Sequence, residues 1–179
     1  MQAWVRAVLG RGDVEGRMIA EAGARDENGT VRPFIESLGP AGYLASDMRP
    51  GPGADVACDA ADLPSLGTFG VVVATEMLEH ARDWKAALAG LITALEPGGL
   101  LLLTTRSEGF PYHGYPGDWH RFSAAAMTAI LDGAGLAEVS VTPDPEAPGV
   151  FARARKPAGW SWPARTGWDA VNVGRVPQP

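Results

Sequence analysis

A chain of 179 residues with 46% hydrophobic and 20% charged residues can bury roughly 70% of its unfolded surface in one core. The formal net charge of −6 excludes a phosphate-tracking nucleic-acid surface, which needs clustered lysine and arginine. A single cysteine, Cys58, excludes an internal disulfide, and the lack of an apolar run of about 18 residues or a charged leader points to a cytoplasmic protein without membrane contact.

In chain order, Trp4, Val5, Val8 and Leu9 have the spacing of one helical face, which Gly10 and Gly12 break. RMIAEAG reads as a short strand. TVRPFIESLG reads as a helix, with Thr30 as its cap, Pro33 in its first turn and Gly39 at its end. AGYLASD is a second strand ending in an acid, and VACDAADLP a third short strand and loop. FGVVVATEM is a β-branched fourth strand. From Asp83, a natural N-cap, Trp84, Leu88, Leu91, Ile92 and Leu95 recur at helical spacing until EPGG, and LLLLTT makes a fifth strand. Ser123 caps a further helix, and AEVSVTP and PGVFARARK form a terminal strand pair joined by DPEAP. Apolar strands alternating with amphipathic helices predict an α/β protein whose sheet is covered on both faces. Residues 1–156 read as one domain and 157–179 as a tail outside regular structure. Its Trp160, Trp162 and Trp168 point to docking on this chain or a partner.

Ligands of open α/β sheets bind outside the carboxyl ends of the strands, so the residues there carry the chemistry. Glu21 and Gly23 follow the first strand, but without the G-x-G-x-x-G spacing of a pyrophosphate site. Asp47 ends the second strand, where a carboxylate can accept hydrogen bonds from both ribose hydroxyls or simply close a turn before Arg49 and Pro50. Asp59, after the third, can accept from an adenine amino group or form an Asx-turn.

The succession EAGARDENG, YLASDMRPGPGADV, CDAADLP, FGVVVATEMLEH and LEPGGLLLLTTRS, over about residues 17–156, resembles the S-adenosylmethionine (SAM)-dependent methyltransferases of Rossmann-like fold. It is most similar to the compact methyltransferase type 11-like domains. The resemblance implies a doubly wound, mostly parallel seven-stranded sheet with an antiparallel last strand, and SAM as cofactor. It implies that Glu21 and Gly23 line the methionine part of SAM, Asp47 and Met48 the ribose and adenine, Asp59 and Ala60 the adenine edge, and Glu76 the pocket wall.

Methyl transfer requires a nucleophile aligned in line and stripped of its proton when its pKa is high. His80, His113 and His120, the chain's three histidines, fall in the loops after the fourth and fifth strands and can work near neutral pH. His80 and His113, with Asp118, are the catalytic candidates, although a histidine in the position of His80 can serve merely as a backbone hydrogen-bond partner. Tyr112, His113 and Tyr115 form the candidate acceptor cup. The alternative for Asp118 is an ion pair with Arg121 that stiffens the loop, an arrangement suited to arginine's fork. His113, Asp118 and His120 match no metal-site spacing, and no metal is assigned.

The expected activity is transfer of methyl to an O or N atom of a small-molecule or sugar-like metabolite. The alternatives are a non-methylating reaction on the same fold, such as cyclisation, and a non-catalytic partner subunit. The shortage of chain with which to wall an acceptor site, together with the tryptophan tail, points to a homodimer.

Overall fold

All seven residues of Phe69–Thr75 are buried, as befits a strand covered on both faces. In the computed structural model, which describes residues 1–26, 29–114 and 117–178, this run is the middle strand of a seven-stranded sheet. The strands are β1 (Met18–Ala22), β2 (Gly42–Asp47), β3 (Val56–Ala57), β4 (Phe69–Thr75), β5 (Leu95–Arg106), β6 (His120–Arg121), β7 (Ala137–Pro143), β8 (Gly149–Arg155) and β9 (Gly174–Arg175). The main sheet runs β3-β2-β1-β4-β5-β8-β7, and β6 pairs separately with β9. Only β8, the last strand of this sheet in the chain, runs against its neighbours β5 and β7. This is the predicted doubly wound sheet.

Helices α1 (Gln2–Val8), α2 (Arg11–Val14) and α3 (Arg32–Glu36) cover one face, and α4 (Trp84–Ala94) and α5 (Ala124–Gly133) the other. The strand periodicity of two sorts the central residues between them. Val71, Val73, Leu100 and Leu102 pack with Val5, Val14 and Ile35. Val72, Ala74, Leu101 and Leu103 pack with Leu88, Leu91 and Ile130. Each such burial contributes about 1.5–3 kcal/mol.

Two of the three predicted caps form: Asp83 accepts from the Ala86 amide at 3.0 Å and Ser123 from the Ala126 amide at 3.1 Å, whereas α3 starts from Val31 and Thr30, one residue earlier, accepts from the Arg32 amide at 3.1 Å. At the other end of α4, the Lys156 ammonium donates to the carbonyls of Ile92, Thr93 and Leu95 at 3.1, 3.2 and 2.6 Å, a cation closing the negative end of the helix dipole. Burial holds its pKa below the usual lysine range.

Three local features refine the sequence reading. The first helix ends just before Gly10, as expected, but Asp13 accepts from the Gly10 amide at 3.3 Å and starts a further single turn, α2, beyond the break. The third strand is only two residues long, since Asp59 caps a 3-10 turn over Ala60–Leu66. The tail is partly regular, carrying a 3-10 turn at Trp168–Ala170 and β9. Its indoles reach this chain: Trp160 donates to the Ala134 carbonyl and Trp168 to that of Ile130, both at 2.8 Å.

Helix α4 lies so close to the 3-10 turn that a Cβ on Gly90 would stand 2.1 Å from the Ala60 carbonyl oxygen. Gly90→Ala is therefore expected to destabilise the fold by about 1–3 kcal/mol, despite alanine's better helix propensity of roughly 1 kcal/mol. Urea denaturation measures this, and an unchanged midpoint would disprove the tight approach.

Candidate active site

The carboxyl ends of β1, β2 and β4, with the segments that follow them, open into one cleft of about 1270 Å3. Glu21 sits one residue from the end of β1, in register with Ala45 of β2 and Val73 of β4. It is buried, and the Tyr43 hydroxyl donates to its Oε2 at 2.5 Å. Burial raises its pKa above the ordinary carboxylate range, opposed by the Tyr43 bond and Arg32. Gly23 adopts the left-handed region at φ 76°, and a Cβ there would meet Met77 Cβ at 2.6 Å, so this position excludes any side chain.

Asp47 lines the cleft beside Met48. Its Oδ1 accepts from the Arg49 amide at 2.9 Å, which fixes the carboxylate and leaves Oδ2 without a hydrogen bond among the described residues. Asp59 uses Oδ1 on the Ala61 amide at 2.9 Å, the Asx geometry, while it and Ala60 still line the cleft wall.

Glu76 follows β4 in a left-handed conformation at φ 54°, unusual for a residue with a side chain. Its amide donates to the Thr104 carbonyl at 2.9 Å, its Oε1 accepts from the Thr104 hydroxyl at 2.7 Å, and Arg106 pairs with Oε2. Burial, reinforced by the neighbouring Glu79 charge, pushes its pKa up to about 7.

The segment after β5 folds back over this end. His80 and His113 both line the cleft, their rings meeting edge to face at 4.7 Å between centroids. His80 Nδ1 bonds the Gly117 carbonyl, and His113 Nδ1 lies 3.0 Å from Asp118 Oδ2. Asp118 is wholly buried and does not reach the cleft. Arg121 grips both of its oxygens, the second at 2.6 Å, and the His113 amide donates to it at 3.0 Å. Burial alone would raise the Asp118 pKa, but these donors outweigh it and hold it at about 2. Asp118 thus stands behind His113 rather than beside the ligand space. Glu79 raises the His113 pKa above the ordinary range, partial burial opposes it and Asp118 adds to the rise. His120 turns away to the Arg82 carbonyl at 3.3 Å, and burial lowers its pKa. Tyr112 is exposed and outside the cleft lining, and Tyr115 lies outside the described residues.

Glu79 and Arg106 escaped the sequence reading. Glu79 is fully buried and accepts from the Thr105 hydroxyl at 2.7 Å, and Arg106 stacks 4.2 Å from the Phe110 ring centroid. The available signal was the acid next to His80 in TEMLEH, an unusual residue to bury without a role.

A doubly wound sheet with acids at successive strand ends, opening on one cleft, defines a nucleotide-cofactor-binding α/β enzyme. Residues 20–141 match the family model described as a methyltransferase domain. The chain belongs to this family, the SAM-dependent methyltransferases of Rossmann-like fold. No curated protein matches it by sequence. Among solved structures, the 1,6-didemethyltoxoflavin-N1-methyltransferase of Burkholderia thailandensis, with 1,6-didemethyltoxoflavin and S-adenosylhomocysteine bound, superposes with a TM-score of 0.68 at 18% identity, over 87% of this chain and 78% of that one. A SAM-dependent methyltransferase of Mesorhizobium loti gives 0.63 at 17% identity, over 87% and 98%. The N-methyltransferase NodS of Bradyrhizobium japonicum WM9, in complex with S-adenosylhomocysteine, gives 0.61 at 20% identity, over 87% and 85%. No helix among the described residues is long and apolar enough to cross a membrane.

Proposed function

We propose that this methyltransferase acts on an O or N atom of a small-molecule or sugar-like metabolite, with cofactor and acceptor bound end to end in the one cleft. The observation that carries this reading is the cleft itself, which is lined by Gly23 and Asp47 after the first two strands and also by His80 and His113. Its volume of about 1270 Å3 exceeds the roughly 300–1,000 Å3 of a pocket for one drug-sized ligand, leaving room for two. The net charge of −6 speaks against a polyanionic acceptor. The Burkholderia enzyme binds a small-molecule acceptor in the same fold.

The residues fit SAM. Gly23 lets the ligand lie against the backbone, Glu21 orients the amino-acid part, and Asp47 Oδ2 accepts from the ribose. Met48, Asp59 and Ala60 border the adenine, and Glu76 walls the sulfonium end. SAM supplies a methyl group already activated on sulfur. The acceptor lone pair forms the new bond to the methyl carbon as the carbon–sulfur bond breaks, with S-adenosylhomocysteine as the leaving group. The histidines govern the acceptor's proton. With Nδ1 of each ring engaged, the Nε2 atoms are the groups that can receive it.

Methyl-labelled SAM, incubated with the protein and a metabolite extract, should label one small acceptor. His113→Ala is expected to lower turnover about 10²–10⁴-fold at saturating SAM, and His80→Ala less. Full turnover in both variants would remove the histidines from the mechanism, and absence of labelled product would remove the acceptor class.

A further inference from the structure

Glu79, His80 and His113 present ligand atoms that all lie within 4.8 Å of one another. Their surroundings are those of metal ligands rather than of free polar groups. The Glu79 carboxylate is 0% exposed, its Oε2 is held by Thr105, and its Oε1 has no hydrogen-bond partner among the described residues. His113 Nε2 stands 3.8 Å from that oxygen, beyond hydrogen-bond range. A buried carboxylate oxygen without a partner is costly. Each imidazole is anchored through Nδ1, His80 by the Gly117 carbonyl and His113 by Asp118 at 3.0 Å. Metal-binding histidines are oriented in this manner, with the outer nitrogen engaged and the inner one facing the ion. Arg121 fixes Asp118 in turn, so the support extends one layer further.

We propose that Glu79 Oε1 and the Nε2 atoms of His80 and His113 bind a divalent cation of the zinc type at the acceptor end of the cleft. Two histidines and one carboxylate with open positions form a donor set suited to zinc and similar first-row ions, and poorly suited to magnesium. Tetrahedral zinc with bonds of about 2.0–2.1 Å sets its donors about 3.3 Å apart, so from within 4.8 Å of one another the three groups need close by at most about 1.5 Å. Both histidines line the cleft, which turns the open positions toward the acceptor space. A cation there would hold an oxygen-bearing acceptor and lower the pKa of its hydroxyl, whose proton would pass to water in the open cleft, so the histidines would serve as ligands in place of the proton-accepting role given them above. This inference deepens the acceptor reading above and rests on it.

The test is direct binding. Full-length protein stripped with a chelator and titrated with zinc should take up about one equivalent, and cobalt in its place should give the visible spectrum of a low-coordinate nitrogen–oxygen site. Glu79→Gln and His113→Asn should each abolish stoichiometric uptake, while His120→Asn, outside the set, should retain it. Circular dichroism on each variant separates lost binding from lost folding. Calorimetry with S-adenosylhomocysteine on the metal-free protein tests the underlying reading separately. Binding of that nucleoside without zinc uptake, or equal uptake by wild type and both ligand variants, would overturn the cation site alone. Failure to bind the nucleoside would instead overturn the cofactor cleft.

Discussion

Arg121→Met is expected to lower stability by about 3–5 kcal/mol, because it leaves the fully buried Asp118 carboxylate without its charge partner. Arg121 also donates to the carbonyls of His120 and Pro111 at 2.9 and 3.2 Å, so the methionine frees acceptors in the same loop. Lysine at 121 keeps the charge but not the two-pronged geometry and should lie between the two. The revealing comparison is the double variant Asp118→Leu with Arg121→Met. Removing both charges spares the orphaned carboxylate, so the double variant should be more stable than Arg121→Met alone. Urea denaturation of the four proteins reads this. A double variant no better than the single would mean that the pair does not control the loop's stability.

Asp47→Ala is expected to weaken binding of S-adenosylhomocysteine by about 10- to 150-fold, the equivalent of losing one charge-assisted hydrogen bond of roughly 1.5–3 kcal/mol. The fold should survive, since Asp47 sits at the open end of β2 and its side chain, among the described residues, holds only the Arg49 amide. Asp47→Asn keeps an acceptor for that amide and removes the charge, so it separates the turn from the ligand. Calorimetry decides the matter. If both variants bind as the wild type does, Asp47 is a turn residue and nothing more.

The frame of this protein was legible because local signals and tertiary demands agree. β4 is apolar throughout since both its faces are covered, and Asp83 and Ser123 cap their helices by contacts within three residues. Those strand ends in turn located Glu21, Asp47 and Glu76 at the cleft. What stayed hidden is non-local. Glu79 is held between distant segments, its carboxylate accepting from the Thr105 hydroxyl and its carbonyl from the Trp119 amide at 2.8 Å. A residue that reads as an ordinary surface acid in TEMLEH therefore becomes part of the wall behind two histidines. The pairing of His120 and Arg121 with Gly174 and Arg175 joins segments more than fifty residues apart, and neither carries an alternating pattern that would announce a strand. Asp118 illustrates an intermediate case. Its pairing with Arg121 follows from the i, i+3 spacing, but the spacing could not tell which side of His113 it would occupy.

The short ladder between β6 and β9 ties the C-terminal segment to the loop that carries His113, without giving it a place in the cleft lining. The Val176 amide donates to the Trp119 carbonyl at 3.0 Å, and the Gln178 side chain donates to the Asp118 carbonyl at 2.5 Å. The backbone beyond His113 is thus clamped from outside by residues that do not line the cleft. Among relatives that differ in acceptor, changes of specificity can then arise in this remote segment as readily as in the cleft wall, by resetting the clamp and leaving the chemistry of the histidines intact.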